Sequence, residues 1–182
     1  MLTVAVFVGS LRRESMTRKL AKAVAKLAAA KLEFRCVDLT ELPMYNEDLW
    51  ASPPESILRV KTAIETSDGV LFVTPEYNRS VSPVLKNAID WGARPLGMNS
   101  WARKPLSIIG ASPGTLGTAL AQAQLRSTMT ILECVLMGQP EVYLTFKSGL
   151  IGDDAEVTNE ETRKFLADYV NLFAAWVARY KP

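Results

Sequence analysis

The stretch TVAVFVGSLRRES, Thr3 to Ser15, sets an apolar, β-branched run directly against a turn of glycine, small hydroxyls and arginine. Thr3 to Val8 reads as a strand covered on both faces, because a strand with one wet face would alternate apolar and polar positions. Gly9 and Ser10 end it. From Ser15 to Lys31 the period changes: Leu20, Val24, Leu27 and Ala28 fall on one stripe and Lys19, Lys22 and Lys26 on another, which predicts an amphipathic helix with a solvated basic face.

The same alternation repeats outward from this unit. Glu33 to Asp38 is a second strand, Pro53 and Pro54 open a second helix running to about Ser67, and Gly69 to Thr74 (GVLFVT) is a third strand with hardly a polar atom. Pro105 to Gly110 and Glu141 to Phe146 supply a fourth and a fifth. Helices are expected near Ser82 to Ala93, Thr115 to Glu133 and Asn159 to Tyr180, the last carrying Phe165, Tyr169, Phe173, Trp176 and Tyr180 as a core stripe. Strands each followed by a helix predict a three-layer α/β fold, a doubly wound five-stranded parallel sheet with helices on both faces. For five strands the flavodoxin-like order 2-1-3-4-5 fits, in one domain over residues 1–182, with the ligand crevice between strands one and three.

Composition narrows the chemistry. Ten glycines, ten prolines and 48% hydrophobic residues suit a compact core in 182 residues. Twenty-one basic against nineteen acidic residues give +2, without the concentrated positive charge of a nucleic-acid binder. There is no histidine, which removes the commonest zinc ligand and every triad that uses imidazole as its base. Cys36 and Cys134 have no metal or CxxC spacing and are expected to be buried, reduced thiols. No apolar run could span a bilayer, and the chain enters its first strand without a leader pattern, so a soluble, cytoplasmic protein is expected.

Two loops carry the candidate site. After the first strand, Gly9 permits a tight turn, Ser10, Ser15 and Thr17 offer hydroxyls, and Arg12 offers a fork of donors beside a helix amino terminus. Such a loop suits a terminal phosphate monoester such as that of FMN, although Ser15 equally reads as a plain helix cap. Glycines are missing where GxGxxG needs them, and the Gly-Lys-Ser/Thr of a P-loop is absent. Arg13 and Arg18 read as exposed charges only. After the third strand comes TPEYNRSVSPVLKNAIDW, Thr74 to Trp91, in which Pro75 and Pro83 force an irregular segment at the sheet's carboxyl edge. After the fourth comes GASPGTLG, Gly110 to Gly117.

PEYNRSVSPVLKNAIDW together with GSLRRESMTRKLA resembles the NAD(P)H-dependent FMN reductase family, flavodoxin-like bacterial quinone and chromate reductases, whose patterns are PEYNxSxPGxLKNAIDW and GSLRxxSxNxxLA. The likeness, with the YNEDL segment Tyr45 to Leu49, extends over nearly the whole chain. Thr17 stands where the family has Asn, and Ser82-Pro83-Val84 replaces its Pro-Gly step. The resemblance implies that FMN is held by Gly9, Ser10, Leu11, Arg12, Ser15, Met16 and Thr17 at its phosphate, by Pro75, Glu76, Tyr77 and Asn78 at the isoalloxazine, and by Ser112, Pro113 and Gly114 at the pyrimidine side.

It further implies NADPH or NADH as donor and ping-pong transfer to a small-molecule acceptor: a quinone, chromate, a ferric chelate, an azo compound or free flavin. No side chain is assigned as acid or base and no metal is expected, since the hydride is carried at flavin N5. A non-catalytic flavodoxin-type carrier is the alternative, and FMN as a diffusible substrate a third possibility. The resemblance implies a homodimer or homotetramer, with the YNEDLW loop and the Trp91 helix near a subunit contact, and with Arg126 and Glu141 pairing across subunits. Asp90 and Trp91 read as well as a helix end and a core anchor as they do as interface residues.

Overall fold

The computed structural model describes residues 1–182. Its strands are β1 (Leu2–Val8), β2 (Leu32–Cys36), β3 (Gly69–Thr74), β4 (Pro105–Ser112), β5 (Val135–Leu136) and β6 (Val142–Thr145). Its helices are α1 (Met16–Ala28), α2 (Glu55–Glu65), α3 (Pro83–Gly92), α4 (Ala119–Ile131) and α5 (Glu160–Tyr180). The sheet is parallel throughout in the order β2-β1-β3-β4-β5, with β6 also on β4.

The expected 2-1-3-4-5 order is therefore present, with its fifth place shared by two short strands. Val135–Leu136 lies beside the start of β4 at Pro105–Leu106, and Val142–Thr145 lies beside its end at Ile109–Ser112. The Met137 amide still donates to the Leu106 carbonyl of β4 at 2.9 Å; Gly138 to Glu141 then leave the ladder, and Pro140, which has no N–H to donate, follows a cis peptide bond. The Glu141 to Phe146 run is β6, and β5 was not expected.

The three central strands sort their side chains by a period of two. Val4, Val6 and Val8 of β1, Leu71 and Val73 of β3, and Ile109 and Ala111 of β4 pack under α1 and α5. Ala5 and Phe7, Val70 and Phe72, and Leu106 and Ile108 point to the other face, under α2, α3 and α4. Both faces are apolar, so these strands show no polar alternation in sequence. Phe7, Phe72 and Trp101 meet edge-on, with centroids 5.2 to 5.6 Å apart. Burying each such ring stabilises the fold by about 2–3 kcal/mol.

At the edge the pattern weakens. β2 is exposed at alternate positions and beyond, and Cys36 at its end is exposed, contrary to the expectation of two buried thiols. Cys134 is half-buried, and burial pushes its thiol up to about 12. Helix starts follow the capping rules: Ser15 accepts from the Arg18 amide, Ser82 from Leu85 with Pro83 at the first helical position, and Asn159 from Thr162.

Candidate active site

The carboxyl ends of β1, β3 and β4 bound a cleft of about 170 Å³, lined by Ser10, Arg12, Ser15, Met16, Thr17, Pro75, Glu76, Tyr77, Ala111, Ser112 and Pro113. Ten of these eleven are residues singled out from the sequence, and they come from three loops distant in the chain. Gly9, Leu11, Asn78 and Gly114 are not among the lining residues, and each has an identifiable place. A Cβ on Gly9 would lie 2.7 Å from Pro75 Cδ, 2.7 Å from Ser82 Oγ and 2.8 Å from Leu85 Cδ1, so this glycine lets the first loop pack against the second. Leu11 is exposed. Asn78 and Arg79, both at positive φ, form the two-residue turn of a hairpin closed by paired Tyr77 and Ser80 backbone bonds of 3.1 and 2.9 Å. Gly114 accepts through its carbonyl from Ser112 Oγ at 3.2 Å and Thr145 Oγ1 at 3.3 Å. Ala111 joins the lining as the next residue after Gly110, a position with no polar atom to draw notice in sequence.

The first loop keeps its donors available. Ser15 Oγ serves both as the cap, accepting from Arg18 N at 3.2 Å, and as the partner of Thr17 Oγ1 at 2.8 Å. That leaves the Met16 and Thr17 amides, the first two of α1, without an intrahelical acceptor. Ser10 and Thr17 are buried. The Arg12 guanidinium is exposed and turns back on its own loop, donating from Nε to the Glu14 carbonyl at 3.1 Å. Hydroxyls, free helix amides and a guanidinium without a paired carboxylate form a donor set that matches a phosphate monoester.

The second loop is fastened. Glu76, exposed in sequence terms by its charge, has a side chain only 7% accessible. Its Oε2 accepts the amides of Leu120 at 3.1 Å and Ala121 at 3.2 Å, while Oε1 pairs with Arg79 at 3.1 Å. It thus caps α4 from outside, where Thr118 in left-handed conformation makes no side-chain cap. Ser80 and the Arg79 carbonyl are tied to Gln124 of α4 at 2.8 and 3.1 Å. The helix begins at Ala119, four residues later than expected from Thr115, because Gly117 and Thr118 are both at positive φ.

Asn87 and Trp91, one turn apart on α3, hold the segment after β2. Asn87 accepts the Tyr45 amide at 2.8 Å and donates to the Pro43 carbonyl at 2.8 Å, and Trp91 Nε1 donates to the same carbonyl at 2.7 Å. The Trp91 ring is fully buried and touches Tyr45 and Trp50 at centroid distances of 4.7 and 5.3 Å. Trp91 is a core anchor; Asp90 is bridged to Lys86 at 2.7 Å. Lys61, which no motif marks, donates to the Arg94 and Met98 carbonyls at 2.9 and 2.7 Å and so holds the loop after α3, and burial lowers its pKa. Arg126 and Glu141 lie 3.7 Å apart within the chain itself, with the Tyr143 hydroxyl also on Glu141.

An α/β sheet of this order, with a phosphate-type donor loop after β1 facing a fastened loop after β3, defines the class of flavodoxin-like mononucleotide-binding proteins. Residues 2–149 match the NADPH-dependent FMN reductase family. The chain belongs to that family, an FMN- and NAD(P)H-using family of oxidoreductases. It is 46% identical over 176 residues to the 2-hydroxy-1,4-benzoquinone reductase of a Burkholderia species, covering 97% of this chain and 96% of that one. A quinone reductase of Pseudomonas putida is also 46% identical, over 96% and 94% of the two chains. Among solved structures, the flavoenzyme FerB of Paracoccus denitrificans, an NAD(P)H:(acceptor) oxidoreductase, superposes with a TM-score of 0.97 at 48% identity over 100% of both chains. A WrbA-like flavodoxin of Agrobacterium tumefaciens, 21% identical with a TM-score of 0.60, shares the fold.

Proposed function

We propose that the chain is an NAD(P)H:quinone oxidoreductase, with FMN held in the cleft between the ends of β1, β3 and β4. The observation that carries this is the chemical division of the cleft. The loop after β1 offers Ser10, Arg12, Ser15, Thr17 and free helix amides, and the loops after β3 and β4 offer Pro75, Tyr77, Ala111 and Pro113, with the Glu76 carboxylate and Ser112 hydroxyl spent on the protein's own backbone. The first loop suits a phosphate, and the other two a flat apolar ring system.

When bound, FMN supplies the hydride chemistry. The chain's part is to bind and orient. Ser10, Ser15, Thr17 and Arg12 would hold the phosphate, with the Met16 and Thr17 amides aligned toward it by the dipole of α1. Pro75 and Tyr77 would border the ring system, the backbone of Glu76–Asn78 and Ser112–Gly114 would supply polar groups beside it, and Gly9 and Leu11 would shape the turn between the loops. Glu76 is spent on capping α4 and on Arg79, so it acts as a positioning residue for the loop. A small acceptor would use the same opening of the cleft as the donor: a quinone first, with chromate, ferric chelates, azo compounds and free flavin within the same chemical reach.

Stopped-flow mixing of the FMN-loaded protein with NADPH tests the reading. Direct bleaching of the flavin band, followed by recovery on adding a benzoquinone, is expected. Bleaching that needs a separate reductase would overturn it in favour of a carrier. The reading extends to one-domain subunits in the cytoplasm and to a homodimer or homotetramer, the assembly being supported by the exposed apolar side chains of Tyr77, Leu116 and Leu120. A monomeric mass by light scattering would remove that extension. No helix is long and apolar enough to cross a membrane.

A further inference from the structure

A second cleft of about 170 Å³ adjoins the first, and Ser15 lines both. Its walls carry Arg13, Arg18, Lys19 and Lys22 against Glu14 and Asp153, four cations to two carboxylates, a local excess of +2. The whole chain has twenty-one cations and nineteen anions, also +2, so the rest of the molecule balances at seventeen of each. Lys19 is already engaged, 3.1 Å from Asp153 and 3.7 Å from Glu14. Arg13, Arg18 and Lys22 are exposed, and none of them enters an ion pair. Three unpaired cations around one concave site, on the rim of a cleft for a dinucleotide's partner, are more than a solvated helix face requires.

We infer that this second cleft receives the 2′-phosphate of NADPH, so that Arg13, Arg18 and Lys22 set the preference for NADPH over NADH. The inference rests on the donor docking at the adjoining FMN cleft. The charge matches: a phosphate monoester carries about −2 near neutral pH, against the cleft's +2. Guanidinium forks from Arg13 and Arg18 suit its oxygens, and Lys22 adds a mobile point charge one turn along α1 from Arg18. The pyrophosphate common to both donors would not discriminate between them, whereas a 2′-phosphate here does.

Calorimetric titration of the protein with 2′,5′-ADP and with 5′-ADP reads this without turnover. Wild type is expected to bind 2′,5′-ADP about tenfold or more tightly over 5′-ADP, as loss of a charge-assisted bond implies, with the ratio shrinking as salt rises. In the Arg13→Gln, Arg18→Gln, Lys22→Gln triple variant the ratio should fall to near one, and the NADPH to NADH ratio of kcat/KM should fall with it. Arg18→Gln alone should give an intermediate ratio, which keeps the test available if the triple variant folds poorly. An equal affinity of wild type for both probes overturns the inference. So does a variant that keeps the wild-type ratio, or that loses both probes equally, as a site for the 5′-phosphate they share would. Failure of the chain to bind FMN would instead strike the functional reading, and fluorescence titration with FMN separates the two.

Discussion

The two loops that face each other across the cleft are built on opposite plans. The loop after β1 spends few of its polar groups on the protein: Ser15 caps α1 and Arg12 touches only its own loop. The loop after β3 spends nearly all of them. Glu76 caps α4, Asn78 and Arg79 make a hairpin turn, and Asn87 and Trp91 grip the segment after β2. A polar residue in a motif is therefore no guide by itself to ligand contact; in the second loop it signals a backbone that has to be held still. Side chains that bind a phosphate must stay free, and backbone that borders a ring must be fixed by other side chains.

The contrast can be broken most severely where the loops touch. Gly9→Ala sets a methyl against Pro75, Ser82 and Leu85, all within 2.8 Å. Overpacking of this kind should cost about 2–3 kcal/mol and shift both loops, so urea midpoint and FMN affinity should fall together. A variant with wild-type stability would mean that the loops do not depend on each other's approach. Next comes the clamp within the second loop. Trp91→Phe removes the bond to the Pro43 carbonyl and part of a fully buried ring. About 1 kcal/mol for each, roughly 2 in all, is expected in chemical denaturation, while FMN affinity changes little because Asn87 still holds Pro43.

Glu76→Ala frees the α4 amides and should cost about 1.5 kcal/mol, as loss of a helix cap does. Glu76→Gln, which keeps an acceptor oxygen for them, should restore about half. If Gln is no better than Ala in a urea melt, the charge and not the cap is what matters.

How much of this arrangement could be read from the chain follows the same division. The strand order was legible because β1, β3 and β4 are covered on both faces and show as unbroken apolar runs. β5 was not, since two residues beside the foot of β4 carry no period at all. Topology brings strand ends together and so pointed to the loops, and the resemblance of two of those loops to the FMN reductase motifs named ten of the eleven cleft residues. What escaped was the assignment of tasks inside the motif. Nothing in PEYN says that the Glu76 carboxylate reaches forty-four residues on to Leu120, because that partner is set by the packing of α4 alone. Lys61 escaped for the same reason: its acceptors are main-chain carbonyls and the Ser100 hydroxyl thirty-nine residues away, none of which has a signature in a sequence.

The mildest change should expose the contrast most cleanly. Arg12 is exposed, and its one protein partner is the Glu14 carbonyl, which water can serve as well. Arg12→Ala should therefore leave stability within about 0.5 kcal/mol. If the guanidinium leaves Glu14 to meet the phosphate, its loss removes a charge-assisted bond in a partly desolvated site, and FMN should bind about tenfold more weakly, a change of about 1.4 kcal/mol. Arg12→Lys should recover only part, since an ammonium offers charge without the fork. The first loop then responds in binding and not in folding, whereas Trp91→Phe in the second responds in folding and not in binding. Fluorescence titration with FMN beside a urea melt of the same samples decides it: an Arg12→Ala protein with wild-type FMN affinity would show the guanidinium to be held by Glu14 for the loop's own sake, and the two loops to be alike after all.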